Sequence, residues 1–356
     1  MTSVHPIHRA SYALRRVFRR FYGHPVFVFL LRLYFRHILG LLRLFSPLFG
    51  ATAVFSVTYR CQCSCVHCGA GLFRKDAQRE LTPEEVRAFI DDLARLGASG
   101  IHFFGGEPLV APGIVDYVRH AKAKGLFASL DSNGLRLDEA MVLELQGAGI
   151  DLLRVSIDSP DAATHDRLRG VAGTFEKALE ALRACVRHGV PCFMSLYATR
   201  ENLADGTLRR SIALARSIGA RVRILSAIQT GKWIGREGIG LSGAELKELR
   251  SLLDPDWVCW ETEFLNSAEV PFWCNSMIRN KFDVSAYGDV MACCYMPLTF
   301  GNIREEPLEK VVHRMWRSEL FASHQEHFDC PMNDPRFMER YGEKLRAAGG
   351  CGARGE

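Results

Sequence analysis

Four of the twelve cysteines fall within eight residues, at Cys61, Cys63, Cys65 and Cys68, directly after the apolar run Thr52–Thr58. A fold that ends a buried strand in such a loop must give those thiols a use beyond packing. Scaffolds held by disulfides are short, whereas this chain has 356 residues, 48% of them hydrophobic, enough for a sizeable core. Without a cleavable signal, the clustering reads as metal ligation in a reducing compartment. Cys61, Cys65 and Cys68 have the spacing C-x3-C-x2-C. Three thiolates on one loop can hold three irons of a [4Fe–4S] cluster and leave the fourth open, where such clusters normally take four cysteines. An open metal position is a place for substrate or cofactor, as in catalytic zinc sites. Zinc held by Cys65, Cys68 and a second pair elsewhere is the competing use. Cys63 is expected to point away, and His67 to pack beside the site without ligating it.

From residue 52 the chain alternates between short apolar strands and capped helices. The strands are expected at Thr52–Thr58, Ile101–Phe104, Phe127–Leu130, Leu152–Ile157, Pro191–Tyr197 and Arg221–Leu225. Each is apolar enough to be buried on both faces. Thr82-Pro83-Glu84-Glu85 and Ser242-Gly243-Ala244-Glu245 read as capping boxes that open helices. Six strand–helix units in series predict an α/β fold, a parallel sheet curled toward a barrel, with chemistry at the C-terminal ends of the strands.

The second strand ends in Gly105-Gly106-Glu107-Pro108. Two glycines allow close backbone approach to a ligand, and the Glu107 carboxylate with the glycine carbonyls can accept hydrogen bonds from an ammonium group. With the cysteine spacing one strand–helix interval earlier, the sequence resembles the radical S-adenosylmethionine (SAM) superfamily. The resemblance implies a partial (β/α)6 barrel over residues 51–255 and a [4Fe–4S] cluster on Cys61, Cys65 and Cys68 that binds exchangeable SAM. It implies that Gly105, Gly106, Glu107, Ser132, Asn133, Ser156 and Arg169 bind the cofactor, with Ser156 and Arg169 on the methionine carboxylate. Asp158 would lie near the ribose or the substrate, and Glu107 and Asp158 are the candidates for catalytic roles.

Downstream, Cys274 precedes Gly288-Asp289-Val290-Met291-Ala292-Cys293, a glycine-x4-cysteine pattern within an expected hairpin, and a helix follows near Leu308–Arg317. This is similar to the auxiliary-cluster domain called SPASM or its shorter twitch variant, placed here over residues 256–356. The resemblance implies one auxiliary [4Fe–4S] cluster on Cys274, Cys293 and Cys330, which accepts an electron from the substrate or anchors it. Cys351, Cys294 with a diverging side chain, a non-cysteine ligand and an open iron remain alternatives for the fourth position. The aromatic stretch Trp257–Trp273 reads as core or lid.

The positive charge is concentrated at one end. Residues 1–75 hold ten Arg, one Lys and no acidic residue, while the other 281 carry 34 basic and 40 acidic side chains. That distribution excludes a nucleic-acid-binding body and indicates an interacting N-terminal extension. Arg32, Arg36 and Arg43 interrupt any signal core or membrane span, and the longest uncharged stretch, Leu44–Tyr59, has only 16 residues. Residues 1–50 therefore read as two amphipathic helices parted near Gly23–Pro25, suited to an anionic membrane surface. Packing on the chain's own body, or dimerisation, is the alternative.

Together these features predict a cytoplasmic radical SAM oxidoreductase, peripheral on the inner face of the cell membrane. It would be reduced by a flavodoxin or ferredoxin, would cleave SAM to a 5′-deoxyadenosyl radical and would modify a membrane-resident or lipid-linked substrate. A ribosomal-peptide maturase of the same superfamily is the rival. A non-catalytic electron-transfer protein would need two fully ligated clusters.

Overall fold

The computed structural model describes residues 26, 29–30, 33, 38–75, 77–233, 236, 238–254, 256–260, 274–322 and 330–348. Most of the expected N-terminal helix pair, the aromatics Phe264, Phe272 and Trp273, and Cys351 lie outside the described residues.

One mixed sheet organises the molecule. Its strands are β1 (Thr52–Thr58), β2 (Gly100–Gly105), β3 (Phe127–Ser132), β4 (Leu152–Ser156), β5 (Cys192–Ala198), β6 (Arg221–Ser226), β7 (Val258–Trp260), β8 (Lys281–Val284), β9 (Asp289–Cys293) and β10 (Met296–Asn302). Their order is β10-β9-β8-β1-β2-β3-β4-β5-β6-β7. Strands β1 to β7 pair in parallel with their sequence neighbours, so each crossover advances by one strand, the path of a partial barrel.

The six expected strands form within two residues of their expected limits. β7, from the aromatic stretch, adds a seventh parallel strand, with Trp260 buried. Both capping boxes form: Thr82 opens the helix Pro83–Arg95, and Ser242 opens Gly243–Ser251.

Alternate side chains of the strands face helices or the barrel lumen. Toward the N-terminal ends of the strands the lumen is plugged by Phe127, Leu152, Phe193 and Cys259. The C-terminal hairpin does not form a separate layer. β8 pairs with β1 in parallel, Thr52 opposite Lys281, and β9 and β10 continue antiparallel. The helix Leu308–Arg317 buries Val311, Val312, Met315 and Trp316 as part of the common core.

The helix Leu39–Phe45 leads into β1 from the N-terminal ends of the strands, where Leu48 N donates to Leu96 O. Leu39 and Leu48 are buried, yet Phe45 is 90%, Leu44 75% and Leu41 62% exposed. Arg43 turns toward the protein: its Nη2 donates to Arg279 O at 2.6 Å and its guanidinium stacks 4.4 Å over Trp316. Among the described residues, no helix is long and apolar enough to cross a membrane.

Candidate active site

The cysteine loop leaves β1 and is clamped from three sides. Along one side, Ser64 N donates to Arg169 O and Val66 N to Leu168 O, both at 3.0 Å, so the loop pairs with the end of the helix Ala162–Arg169. On another, Lys232 Nζ donates to Cys65 O at 2.9 Å. The third clamp is the Gly105-Gly106-Glu107 turn, where Gly106 N donates to Thr58 O at 2.7 Å and Glu107 N to Arg60 O at 2.9 Å. A Cβ on Gly105 would lie 2.3 Å from Thr58 O, and one on Gly106 equally close to Arg60 O. What these glycines admit is the backbone that carries the cysteine loop.

Cys63 does not point away. Its N–H donates to Cys61 Sγ at 3.4 Å and its thiol lies beside Cys61 and Cys65, and hydrogen bonding from Cys63 is the largest pull lowering Cys61 to about 6 and Cys65 to about 7, toward thiolate. Asn133 Nδ2 and Arg169 Nη1 each stand 3.7 Å from a sulfur, of Cys61 and Cys65 respectively. Burial instead raises Cys68. His67 packs against Tyr197 and Trp233, and burial lowers it to about 4, so it is neutral.

No three Cys, His, Asp or Glu side chains among the described residues converge as they would around a single ion. Thiolates around an iron–sulfur cluster stand farther apart, because the cluster's own atoms lie between them. Soft, thiolate-inclined donors on one loop fit such a cluster.

The other candidates surround this loop. Glu107 is buried, and both carboxylate oxygens are used internally: Oε1 accepts from Ser132 Oγ at 2.9 Å and Leu109 N at 3.2 Å, Oε2 from Asn133 N at 2.7 Å. Burial pushes its pKa up to about 7, against the pull of these donors. Ser132 is thus a strut between β2 and β3, and Ser156 lies half-buried at the end of β4.

Arg169 and Asp158 form a buried pair, Nη2 to Oδ1 and Nε to Oδ2 both at 2.8 Å. Burial favours a neutral Asp158, but Arg169 outweighs it and holds the carboxyl below its usual range. Asp158→Asn would leave a buried guanidinium against Cys65, and breaking such a pair costs about 3–5 kcal/mol. Urea unfolding of the metal-free variant should therefore show a clearly lower midpoint. An unchanged midpoint would mean that the pair contributes nothing net.

Inside the lumen lies a polar group that the sequence reading missed. Asp131 meets Arg223 at 2.5 Å and both His102 and Arg154 at 3.4 Å, and Arg223 Nε donates to Ser195 Oγ. Burial pushes Asp131 up, but the facing cations hold it well below the carboxylate range, while burial lowers His102 to about 4. The available signal was the polar residues at every second position of strands otherwise apolar.

At the other end of β1, the structure brings Cys274, Cys293 and Cys294 together. The Cys293 and Cys294 thiols hydrogen-bond, so Cys294 does not diverge, and Cys274 lies close enough for Cys293 to raise it electrostatically, after burial. Cys330, partly buried against the core, opens the turn Pro331–Asn333. Since Lys281, beside Cys293, pairs with the start of β1, the two thiol groups are separated by about the length of that strand, roughly 20 Å at ~3.3 Å per residue.

The profile of a family described as "Radical SAM superfamily" matches residues 55–210, and that of an "Iron-sulfur cluster-binding domain" matches 274–334. Among curated proteins, a "PqqA peptide cyclase" of Granulibacter bethesdensis is 30% identical over 269 residues, 72% of this chain and 71% of that protein. An "AdoMet-dependent heme synthase" of Methanosarcina barkeri is 28% identical over 284 residues, 72% of this chain and 80% of that protein. Among solved structures, Streptococcus suis SuiB bound to precursor peptide SuiA superposes with a TM-score of 0.63 at 14% identity, covering 82% of this chain and 70% of that one. Native anSMEcpe with bound AdoMet and the Cp18Cys peptide gives 0.58 at 15% identity, covering 84% and 98%. Likeness at these identities establishes the fold.

Proposed function

Because the chain belongs to the radical SAM superfamily and carries a SPASM-type iron–sulfur domain, we propose that it is an oxidoreductase that uses SAM to modify an unactivated C–H bond. The cofactors of this family are a [4Fe–4S] cluster with SAM and auxiliary iron–sulfur clusters. When bound they supply a 5′-deoxyadenosyl radical for hydrogen abstraction, and the protein binds, orients and shields them.

The observation that carries this reading is the clamping of the cysteine loop at the C-terminal end of β1, with Cys61 beside Asn133 and Cys65 beside Arg169. In this assignment Cys61, Cys65 and Cys68 hold the first cluster, and Cys274, Cys293 and Cys330 the second. Gly105, Gly106, Ser156 and Arg169 face SAM, while Glu107, Ser132 and Asn133 shape the turn that receives it. Arg169 keeps Asp158 ionised beside the site. The reductant is a flavodoxin or ferredoxin. The polar lumen around Asp131 suits a polar part of the substrate better than an acyl chain.

The test is anaerobic reconstitution with iron and sulfide, assay for 5′-deoxyadenosine, and mass spectrometry of membrane extract treated with the enzyme. The second reading, peptide maturation, is favoured by the similarity to a peptide cyclase. A modified peptide from a candidate-peptide panel, with no change in the membrane extract, would select it.

The protein is further assigned to the inner face of the cell membrane as a cytoplasmic, peripheral protein. Ten of the twelve large apolar side chains that stand exposed among the described residues lie between Val26 and Phe49. They adjoin an acid-free, arginine-rich segment, the combination that binds anionic bilayers. This patch is at the end of the sheet opposite the cysteine loop, so the membrane acts first as an anchor. Burying a Leu or Phe side chain is worth about 1.5–3 kcal/mol. The double variant Leu44→Glu/Phe45→Glu should therefore bind phosphatidylglycerol vesicles on the order of a hundredfold more weakly, measured by flotation at low salt. Equal affinity, or none in the unaltered protein, would favour self-packing or dimerisation instead.

A further inference from the structure

The thiols at the N-terminal end of β1 share their site with a half-buried cation. Lys281 opens β8, and its Nζ stands 3.8 Å from Cys293 Sγ. Only 24% of its side chain is exposed, and the ammonium lies 5.9 Å from the centre of the Tyr295 ring. Asp283, on the same face two residues on, places Oδ2 3.6 Å from the ammonium and is 2% exposed. Both Asp283 carboxylate oxygens are buried, and the groups that reach them are Lys281 and the neighbouring Cys294. A half-buried lysine beside sulfur has given up part of its hydration, which favours a role that uses its charge.

We propose that Lys281 sets the reduction potential of the auxiliary cluster, an inference that rests on Cys274 and Cys293 holding one. Reduction adds negative charge to the cluster and its sulfurs. An ammonium within hydrogen-bonding range of a ligating sulfur stabilises the reduced form more than the oxidised form and raises the potential. Asp283 acts in the opposite sense and limits the effect. Lys281 is a positioning residue in electrostatic terms: it touches a ligand and no substrate.

The experiment is a redox titration of the reconstituted holoenzyme followed by electron paramagnetic resonance, with the SAM-binding cluster as internal reference. At the unaltered protein's auxiliary midpoint, Lys281→Gln should lower the ratio of reduced to oxidised cluster at least tenfold, which is about 59 mV for one electron. Lys281→Arg, which keeps the charge, should stay within about threefold of the unaltered protein, and Asp283→Asn should raise the ratio. The reference cluster should not move in any variant.

A Lys281→Gln protein with full iron content and an unchanged ratio would overturn the proposal. If that variant fails to hold auxiliary iron, Asp283→Asn decides: no rise in the ratio overturns the proposal. Iron content of a Cys274→Ala/Cys293→Ala protein separates the two layers. No loss of iron there would remove the auxiliary cluster from this site, and the role of Lys281 with it.

Discussion

Cys65→Ala protein, reconstituted anaerobically and given SAM and a strong reductant, should form 5′-deoxyadenosine only at background level. Cys65 is the middle member of the C-x3-C-x2-C spacing and the most buried of the three. It also receives the closest approach of Arg169. Two thiols on one loop cannot replace three for a cluster that must also keep one position open. Cys63→Ala is the matched control. Cys63 lies outside the spacing and affects its neighbours through hydrogen bonds that a bound cluster would replace, so cleavage should survive its loss. Undiminished 5′-deoxyadenosine from a Cys61/Cys65/Cys68→Ala triple variant would end the radical reading.

Removing the second thiol group should have a different signature. A Cys274/Cys293/Cys330→Ala protein should lose about four irons and four sulfides, roughly half of the total if each site holds one [4Fe–4S] cluster. SAM cleavage should persist at a reduced rate, because Cys61, Cys65 and Cys68 lie on a separate loop at the far end of β1. Product formation should stop, since the substrate would have lost its electron acceptor or anchor. Circular dichroism must accompany the assay, because metal binding at a site that joins distant segments contributes to folding. Full iron in a folded variant would show that these cysteines are not ligands, and normal turnover after iron loss would make the cluster structural only.

The parts of this molecule that could be read from sequence are those governed by local rules. The barrel strands announce themselves as short apolar runs, and the capping boxes at Thr82 and Ser242 form where the side-chain chemistry places them. The cysteine spacing and the Gly105-Gly106-Glu107-Pro108 turn are contiguous motifs, legible without tertiary knowledge. What escaped depends on contacts between segments far apart in the chain. Lys232 reaches Cys65 across 167 positions, and Asp131 collects partners from β2, β4 and β6. The orientation of Cys63 and Cys294 escaped for another reason, since adjacent thiols in a loop follow backbone turns that spacing does not encode. The glycines of the turn do admit a close approach, and in the fold the partner is the chain's own backbone.

Both thiol groups hang from β1, one through its C-terminal loop and the other through its pairing with β8. The seven residues of that strand therefore act as a ruler. Inserting one residue would turn every following side chain to the opposite face before it lengthened the span, so evolution cannot adjust the gauge in small steps. Exchange of lumen-facing side chains can therefore change what lies between the two thiol groups without changing the length of strand that separates them.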